Sequence, residues 1–212
     1  MTVTLLVLTA CAAAIDWVAV QQRLFRIEYV FKPATLTLLL AAAAVADLGP
    51  AQPWVLVGLA LGLVGDVALM LSNKDRTDLP FLLGLGSFLV GHAAYIGGFL
   101  RQGVRTVDVL AGLLVVLGLF VLVLPTVLRG AAARAGKPFA AIVGVYATAV
   151  GAMTVTAVGT GLVAPAIGGV LFALSDTTLG FQRFVRKLNY GDLFVIVTYH
   201  AAQYLFVVGL IR

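Results

Sequence analysis

Residues 58–71 read Gly-Leu-Ala-Leu-Gly-Leu-Val-Gly-Asp-Val-Ala-Leu-Met-Leu, so a carboxylate, Asp66, stands inside an otherwise apolar run. Residues 168–181 read Gly-Gly-Val-Leu-Phe-Ala-Leu-Ser-Asp-Thr-Thr-Leu-Gly-Phe and place Asp176 in the same way. At an offset of 110 residues the two runs align their aspartates. A charged side chain inside a membrane helix costs ~2.5–3.5 kcal/mol on insertion scales, so intramembrane acids usually mark functional sites. Two of them in equivalent positions are the strongest functional indication in the sequence.

The composition is typical of an integral membrane protein. Of the 212 residues, 62% are hydrophobic and 11% are charged, and the mean hydropathy is +1.10. Soluble domains have roughly 45–50% apolar and roughly 25% charged residues. The loops are too short to hold a separate catalytic domain, and the single cysteine, Cys11, excludes an intramolecular disulfide. The basic residues behind the pI of about 9.7 lie in short loops, which indicates membrane topology and no nucleic-acid partner.

Apolar segments close to the membrane-spanning length of about 20 residues occur eight times. The predicted fold is therefore all-α, a polytopic membrane protein with a single transmembrane domain over residues 1–212. Pro33, Pro53, Pro80 and Pro138 are expected at or near helix starts, where the missing N–H costs least. The predicted spans are residues 3–20, 33–48, 54–71, 80–100, 107–128, 138–158, 162–180 and 192–211.

Lysine and arginine are distributed unequally between alternate loops. The odd-numbered loops contain eleven of them, including Lys74 and Arg76 in the third loop, whereas the opposite side has three. Cytoplasmic loops are enriched in these residues, so the odd loops are predicted to be cytoplasmic and both termini to lie outside. The expected location is the inner membrane of a bacterial cell.

Short motifs recur in the same order along the chain. Lys32-Pro33 and Lys137-Pro138 open the second helix of each half, and His-Ala-Ala at residues 92–94 and 200–202 lies in the fourth. With the two aspartates on the third helices, these motifs predict a parallel 4+4 repeat with halves of about 1–104 and 105–212. Because four helices return the chain to its starting side, the copies would share one orientation about an axis along the membrane normal.

The two aspartates are predicted to lie at similar depths. At about 1.5 Å per helical residue, Asp66 lies ~9 Å and Asp176 ~8 Å below the cytoplasmic edge, with Asp16 at a similar level. Two carboxylates held close together in a low dielectric share one proton and supply an acid and a base at neutral pH. The predicted axis would place Asp66 and Asp176 opposite each other. Alternatively, each pairs with a neighbouring base, such as Lys32 at the membrane rim, and only locks the helices together.

Other polar residues are candidates for supporting roles. His92 and His200 could be proton shuttles, metal ligands or hydrogen-bonded interior residues. The acids lie ~10 Å from the depth of His92, which argues against one metal site, so no metal and no cofactor are predicted. Further pocket residues are expected at Tyr95, Ser175 and Tyr199, the tyrosines mainly in packing. A basic cluster is expected to set the membrane topology, and it could also hold a lipid phosphate. It consists of Arg183, Arg186 and Lys187.

Together these motifs resemble the YhhN-like family of small membrane proteins, which includes the animal lysoplasmalogenases, over nearly the whole chain. The motifs are Lys32-Pro33, Gly65-Asp66, Gly91-His92 with Tyr95, Ser175-Asp176 and Tyr199-His200. The resemblance implies an eight-helix hydrolase that cleaves the vinyl ether bond of lysoplasmalogens to a fatty aldehyde and a glycerophospho-base. It implies Asp66 and Asp176 as catalytic acids and a lysophospholipid from the bilayer as the substrate.

Two other kinds of function fit the same features. A small transporter or lipid-binding protein could hold a proton or a cation at the buried acids, and an assembly factor would need no pocket. An enzyme needs the two carboxylates within about one water molecule of each other, in a pocket open to the inner leaflet. A transporter instead needs a path from this layer to the outer face, past His92. The sequence indicates no oligomeric state.

Overall fold

The computed structural model describes residues 1–72 and 79–212, so Lys74 and Arg76 lie outside the described residues. The described residues form eight α-helices, as predicted, and a short 3₁₀ turn at Gly49–Ala51. The helices are α1 Thr2–Gln22, α2 Phe25–Val45, α3 Gln52–Ser72, α4 Leu79–Gln102, α5 Thr106–Leu122, α6 Leu124–Gly159, α7 Val163–Phe184 and α8 Gly191–Val208.

Seven of these helices are long and apolar enough to cross a membrane, and α5, with 17 residues, is a shorter apolar helix. The all-α polytopic fold predicted from the composition is confirmed. The chain is therefore an integral membrane protein.

α2 begins eight residues earlier than predicted. A tight turn with Arg23 in the left-handed conformation (φ 57°) leads into it, so Pro33 lies inside the helix and not at its start. Hydropathy alone missed the first two turns because Arg26, Glu28 and Lys32 interrupt the apolar residues there. Membrane helices tolerate internal proline where neighbouring groups satisfy the freed backbone carbonyl. As a result, Lys32 projects from a regular helix and not from a loop.

α5 is shorter and α6 longer than predicted. α5 ends at Leu122, and residues 124–134, expected to complete helix five and to form a cytoplasmic loop, are helical. The backbone leaves the helical conformation at Ala135 and Gly136, where a φ of 84° suits glycine. Pro138 follows this kink and opens the second part of α6, where its missing N–H is tolerated.

The chain divides into two compact units. The first comprises Met1–Gln102 with Phe206–Arg212, and the second comprises Gly103–Leu205. In the first unit α1 packs on α2, α2 on α3 and α3 on α4, and in the second α5 packs on α6 and α6 on α7. The internal repeat, with halves that meet at about residue 104, stays a prediction.

In the first unit, glycines bring α3 and α4 close together. A Cβ atom on Gly65 would lie 2.5 Å from the Phe88 ring, and one on Gly91 would lie 3.4 Å from the Gly58 carbonyl oxygen. Small residues at a helix interface allow the backbones to approach closely. This packing sets the register of α3 and hence the position of Asp66.

In the second unit, a hydroxyl and small residues join α6 to α7. The Thr154 hydroxyl donates a hydrogen bond to the Gly169 carbonyl oxygen at 3.1 Å. A Cβ atom on Gly169 would lie 2.9 Å from the Ala157 Cβ. The resulting register brings Asp176, two turns further along α7, beside side chains of α6.

Candidate active site

Asp66 lies in the last third of α3 and is 3% exposed. The ammonium nitrogen of Lys32, on α2, lies 3.9 Å from its Oδ1 atom. The Lys32 side chain is 16% exposed, so most of its length is covered. The two opposite charges offset part of the cost of burying either one among apolar helices. The structure thus places Lys32 beside Asp66, an arrangement that the sequence left open as an alternative to catalysis.

Asp16 brings a third buried charge into the first unit. It is 0% exposed, and neither carboxylate oxygen has a hydrogen-bond partner among the described residues. Electrostatic interactions connect it to Lys32, Glu28 and Asp66. The other buried residues of α1 are Thr9, Ala12, Ala13 and Ala19. The sequence placed Asp16 at the level of the other acids without giving it a role.

His92 and Tyr95 lie further along the α3–α4 interface. The glycine before His92 packs against Gly58, which is eight residues, or ~12 Å, along α3 from Asp66. His92 is 1% exposed. The Tyr95 ring covers Gly58 and has its centroid 5.0 Å from that of Phe206. Tyr95 is therefore a packing residue of the first unit, one of the roles expected for it.

In the second unit, the Tyr146 hydroxyl of α6 donates a hydrogen bond to Oδ2 of Asp176 at 2.7 Å. Both side chains are half-buried. Sequence reasoning did not identify Tyr146, since a tyrosine in an apolar helix most often serves packing. The available signal was its position eight residues after Pro138. This position lies ~12 Å from Pro138, on the helix that precedes the one with Asp176.

The neighbours of Asp176 hold α7 and α8 together. The Ser175 hydroxyl donates to the Val195 carbonyl oxygen of α8 at 2.9 Å. The Tyr199 ring packs edge-on against Phe172, with centroids 5.4 Å apart, and its centroid lies 5.6 Å from that of His200. In the described part of the chain, no three His, Cys, Asp or Glu side chains are grouped as metal ligands would be.

The basic cluster lies at the end of α7 and in the turn that follows. Arg183 is half-buried in the last turn of the helix, and Arg186 is exposed. Lys187 pairs with Asp192 at 3.1 Å, and Gln182 donates to the same carboxylate oxygen. Lys187 is therefore paired with a carboxylate at the start of α8, while its side chain stays 74% exposed.

A model of the YhhN family matches residues 27–210. The chain belongs to the YhhN family. The family predicted from the motifs is thereby confirmed, and all of α1, including Asp16, precedes the matched part. No solved structure matches the chain significantly.

Curated relatives of this YhhN-family protein are named lysoplasmalogenases. Those of Mycobacterium bovis and Mycobacterium tuberculosis are each 33% identical over 187 residues, which cover 83% of this chain and 67% of theirs. Lysoplasmalogenase TMEM86A of Bos taurus is 31% identical over 168 residues, or 74% of this chain and 64% of its own.

Proposed function

We propose that this protein is a lysoplasmalogenase-like membrane hydrolase. It would cleave the vinyl ether bond of an alkenyl lysophospholipid to a fatty aldehyde and a glycerophospho-base. The observation that carries the proposal is the 33% identity to two lysoplasmalogenases over most of the chain. The buried carboxylate of Asp66 on α3 and the half-buried carboxylate of Asp176 on α7 support it, because this hydrolysis requires proton transfer within an apolar environment.

The chemistry explains why carboxyl groups are needed. Hydrolysis begins when an acid delivers a proton to the vinyl carbon that is not bonded to the ether oxygen. The other vinyl carbon and the ether oxygen then form an oxocarbenium ion. A carboxylate stabilises this cation and directs water to it. The hemiacetal that forms collapses to aldehyde and alcohol. We assign Asp66 and Asp176 as the two catalytic carboxyl groups, one to deliver the proton and the other to stabilise the cation.

The partners of the two acids support these roles. Lys32 places a positive charge near Asp66, and Tyr146 holds one oxygen of Asp176 by a hydrogen bond. An oriented carboxyl group reacts faster than a mobile one, because its reacting atom stays near the productive position. His92, His200 and Ser175 would act by supporting the surrounding helices.

The expected location is the inner membrane of a bacterial cell, with both termini outside. The acids would then lie just below the headgroups of the cytoplasmic leaflet, where the vinyl ether of a lysolipid also lies. Arg183 and Arg186 are suited to hold the phosphate of the headgroup, because basic side chains next to membrane helices attract lipid phosphates. No nucleic-acid partner is proposed.

The proposal predicts aldehyde release by the purified protein from an alkenyl lysophospholipid in a lipid bilayer. Asp66→Asn and Asp176→Asn should each lower kcat by about 100-fold or more, since acid–base catalysis typically contributes about 10²–10⁴-fold. A coupled alcohol dehydrogenase assay measures the aldehyde, and thermal unfolding verifies that each variant is folded.

The matched control is Asp108→Asn, which removes a carboxylate that pairs with Arg105 at the start of α5. It should leave kcat unchanged. Full activity in either Asp66→Asn or Asp176→Asn would contradict their catalytic role. No aldehyde release by the parent protein would contradict the function itself.

A further inference from the structure

Two polar contacts join α2 to α3, one helical turn apart. The Tyr29 hydroxyl donates a hydrogen bond to the Met70 carbonyl oxygen at 3.0 Å. Lys32, three residues later on α2, lies 3.9 Å from Oδ1 of Asp66, which is four residues before Met70 on α3. Three residues forward on one helix and four back on the other correspond to one turn of an antiparallel pair. The two contacts therefore follow each other along one interface, and the chemistry proposed above uses only the second.

The contact between Lys32 and Asp66 does not fix its own geometry. Its length of 3.9 Å exceeds that of an N–H···O hydrogen bond, which is about 2.7–3.2 Å. A lysine ammonium group is also a point charge at the end of a flexible side chain. Apolar packing between the helices adds stability without direction. The distance between the two charges therefore depends on where the backbone of α2 lies along α3.

The hydrogen bond from Tyr29 is directional and lies one turn away from the ion pair. Tyr29 is half-buried and Met70 is 7% exposed, so most of this contact is shielded from water. A backbone carbonyl oxygen has two lone pairs and can accept the phenol in addition to a bond within its helix. Because a hydrogen bond weakens steeply when its geometry is lost, sliding of α2 along α3 would break it.

We propose that Tyr29 is a positioning residue for Asp66, whose hydrogen bond to α3 sets the register that holds the Lys32 ammonium group beside the carboxylate. The inference rests on the proposed catalytic role of Asp66. Tyr29 acts through Lys32 and does not touch the substrate. A displacement of about 1 Å among groups that orient a reaction can cost up to about 100-fold in rate, so a single hydrogen bond at this place affects catalysis.

The far end of the same helix pair contains a hydrogen bond that serves as a matched comparison. The side-chain amide of Gln52 donates to the Ala46 carbonyl oxygen, at the end of α2, at 2.9 Å. Gln52 lies 14 residues, or ~21 Å, from Asp66 along α3. This bond also ties α2 to α3, but it lies too far from Asp66 to set the position of Lys32.

Tyr29→Phe tests the proposal because it keeps the ring and removes the hydroxyl. We expect kcat to fall about tenfold, KM to change less than about twofold and the melting temperature to fall by a few degrees. Gln52→Leu should lower the melting temperature by a similar amount and keep the parent's kcat. If Tyr29→Phe keeps the parent's kcat while Asp66→Asn is inactive, the inference is wrong and the proposed function stands. Equal losses of kcat in Tyr29→Phe and Gln52→Leu would also overturn it.

A double-mutant cycle with Lys32→Met separates positioning from simple packing. Methionine keeps much of the length of lysine and removes the charge, so no ion pair remains to be positioned. In this background Tyr29→Phe should lower kcat by less than about twofold, and it should lower the melting temperature less than in the parent. Gln52→Leu should lower the melting temperature equally in both backgrounds, because distant sites act additively.

The thermal arm of this cycle requires no enzyme activity. If the parent releases no aldehyde, the proposed function fails, and the melting temperatures still decide whether Tyr29 and Lys32 are coupled. Additive effects of Tyr29→Phe and Lys32→Met on the melting temperature would show that the tyrosine only packs the helices and would overturn the inference.

Discussion

Asp66 and Asp176 lie next to different kinds of side chain. Asp66 has the ammonium group of Lys32 at 3.9 Å, and Asp176 has the phenol of Tyr146 at 2.7 Å. The sequence predicted the first contact as an alternative, because Lys32 was the basic residue nearest to the expected depth of the acids. It did not predict Tyr146, since the depth of a tyrosine along its helix does not by itself distinguish a ring that packs from a hydroxyl that binds a carboxylate.

Loss of the hydrogen bond from Tyr146 to Asp176 is expected to slow catalysis. A hydrogen bond to a charged group contributes about 1.5–3 kcal/mol, so Tyr146→Phe should lower kcat by about tenfold or more. KM should change little if the bond orients Asp176 without touching the substrate. Steady-state aldehyde release over a range of lysolipid concentrations separates the two parameters.

Tyr204→Phe is the matched control for Tyr146→Phe, because it removes the same hydroxyl from a half-buried residue of α8 that is not assigned to the site. It should keep the parent's kcat. Equal losses in the two variants would indicate a general effect of removing a tyrosine hydroxyl and would argue against a specific role for Tyr146.

The number of helices could be predicted from hydropathy, whereas the bounds of α2 and α6 could not. Hydropathy detects segments that lie in lipid, and both missed segments mix charged with apolar residues. The first two turns of α2 carry Arg26 and Glu28, and the first part of α6 carries Arg129 and Arg134. A helix needs only backbone hydrogen bonds and a suitable surface to continue, so it can extend beyond its apolar part.

The close contact of α3 and α4 leads to a prediction on stability. A Cβ atom at Gly84 would lie 3.1 Å from Leu69 and 3.2 Å from the Gly65 carbonyl oxygen. Gly84→Leu should therefore force the helices apart and lower the melting temperature by several degrees, since overpacking typically costs about 1–3 kcal/mol.

Gly86→Leu is the control on the same helix, because nothing lies within 4 Å of a Cβ atom placed there. Leucine has the higher helix propensity, by about 0.8–1 kcal/mol relative to glycine, so this variant should be as stable as the parent or more stable. Thermal unfolding in detergent compares the two. A Gly84→Leu variant as stable as Gly86→Leu would show that the contact of α3 and α4 is not tight at this point.

For the whole molecule, the orientation in the membrane rests on loop charges and on an even number of crossings. This orientation predicts that the turn before α5 lies outside the cell and that the turn between α7 and α8 lies on the cytoplasmic side. In a Cys11→Ser background, a membrane-impermeant maleimide should label Val104→Cys in intact cells. Asn189→Cys should be labelled only after the membrane is permeabilised. The reverse pattern would contradict the proposed orientation.

The ion pair between Lys32 and Asp66 also bears on how the protein is made. Each charge on its own raises the cost of inserting its helix by roughly 2.5–3.5 kcal/mol. The two residues belong to consecutive helices, so the pair can form as soon as α3 has followed α2 out of the ribosome. A hairpin of α2 and α3 would then enter the lipid phase with its charges already neutralised, before the rest of the chain is synthesised.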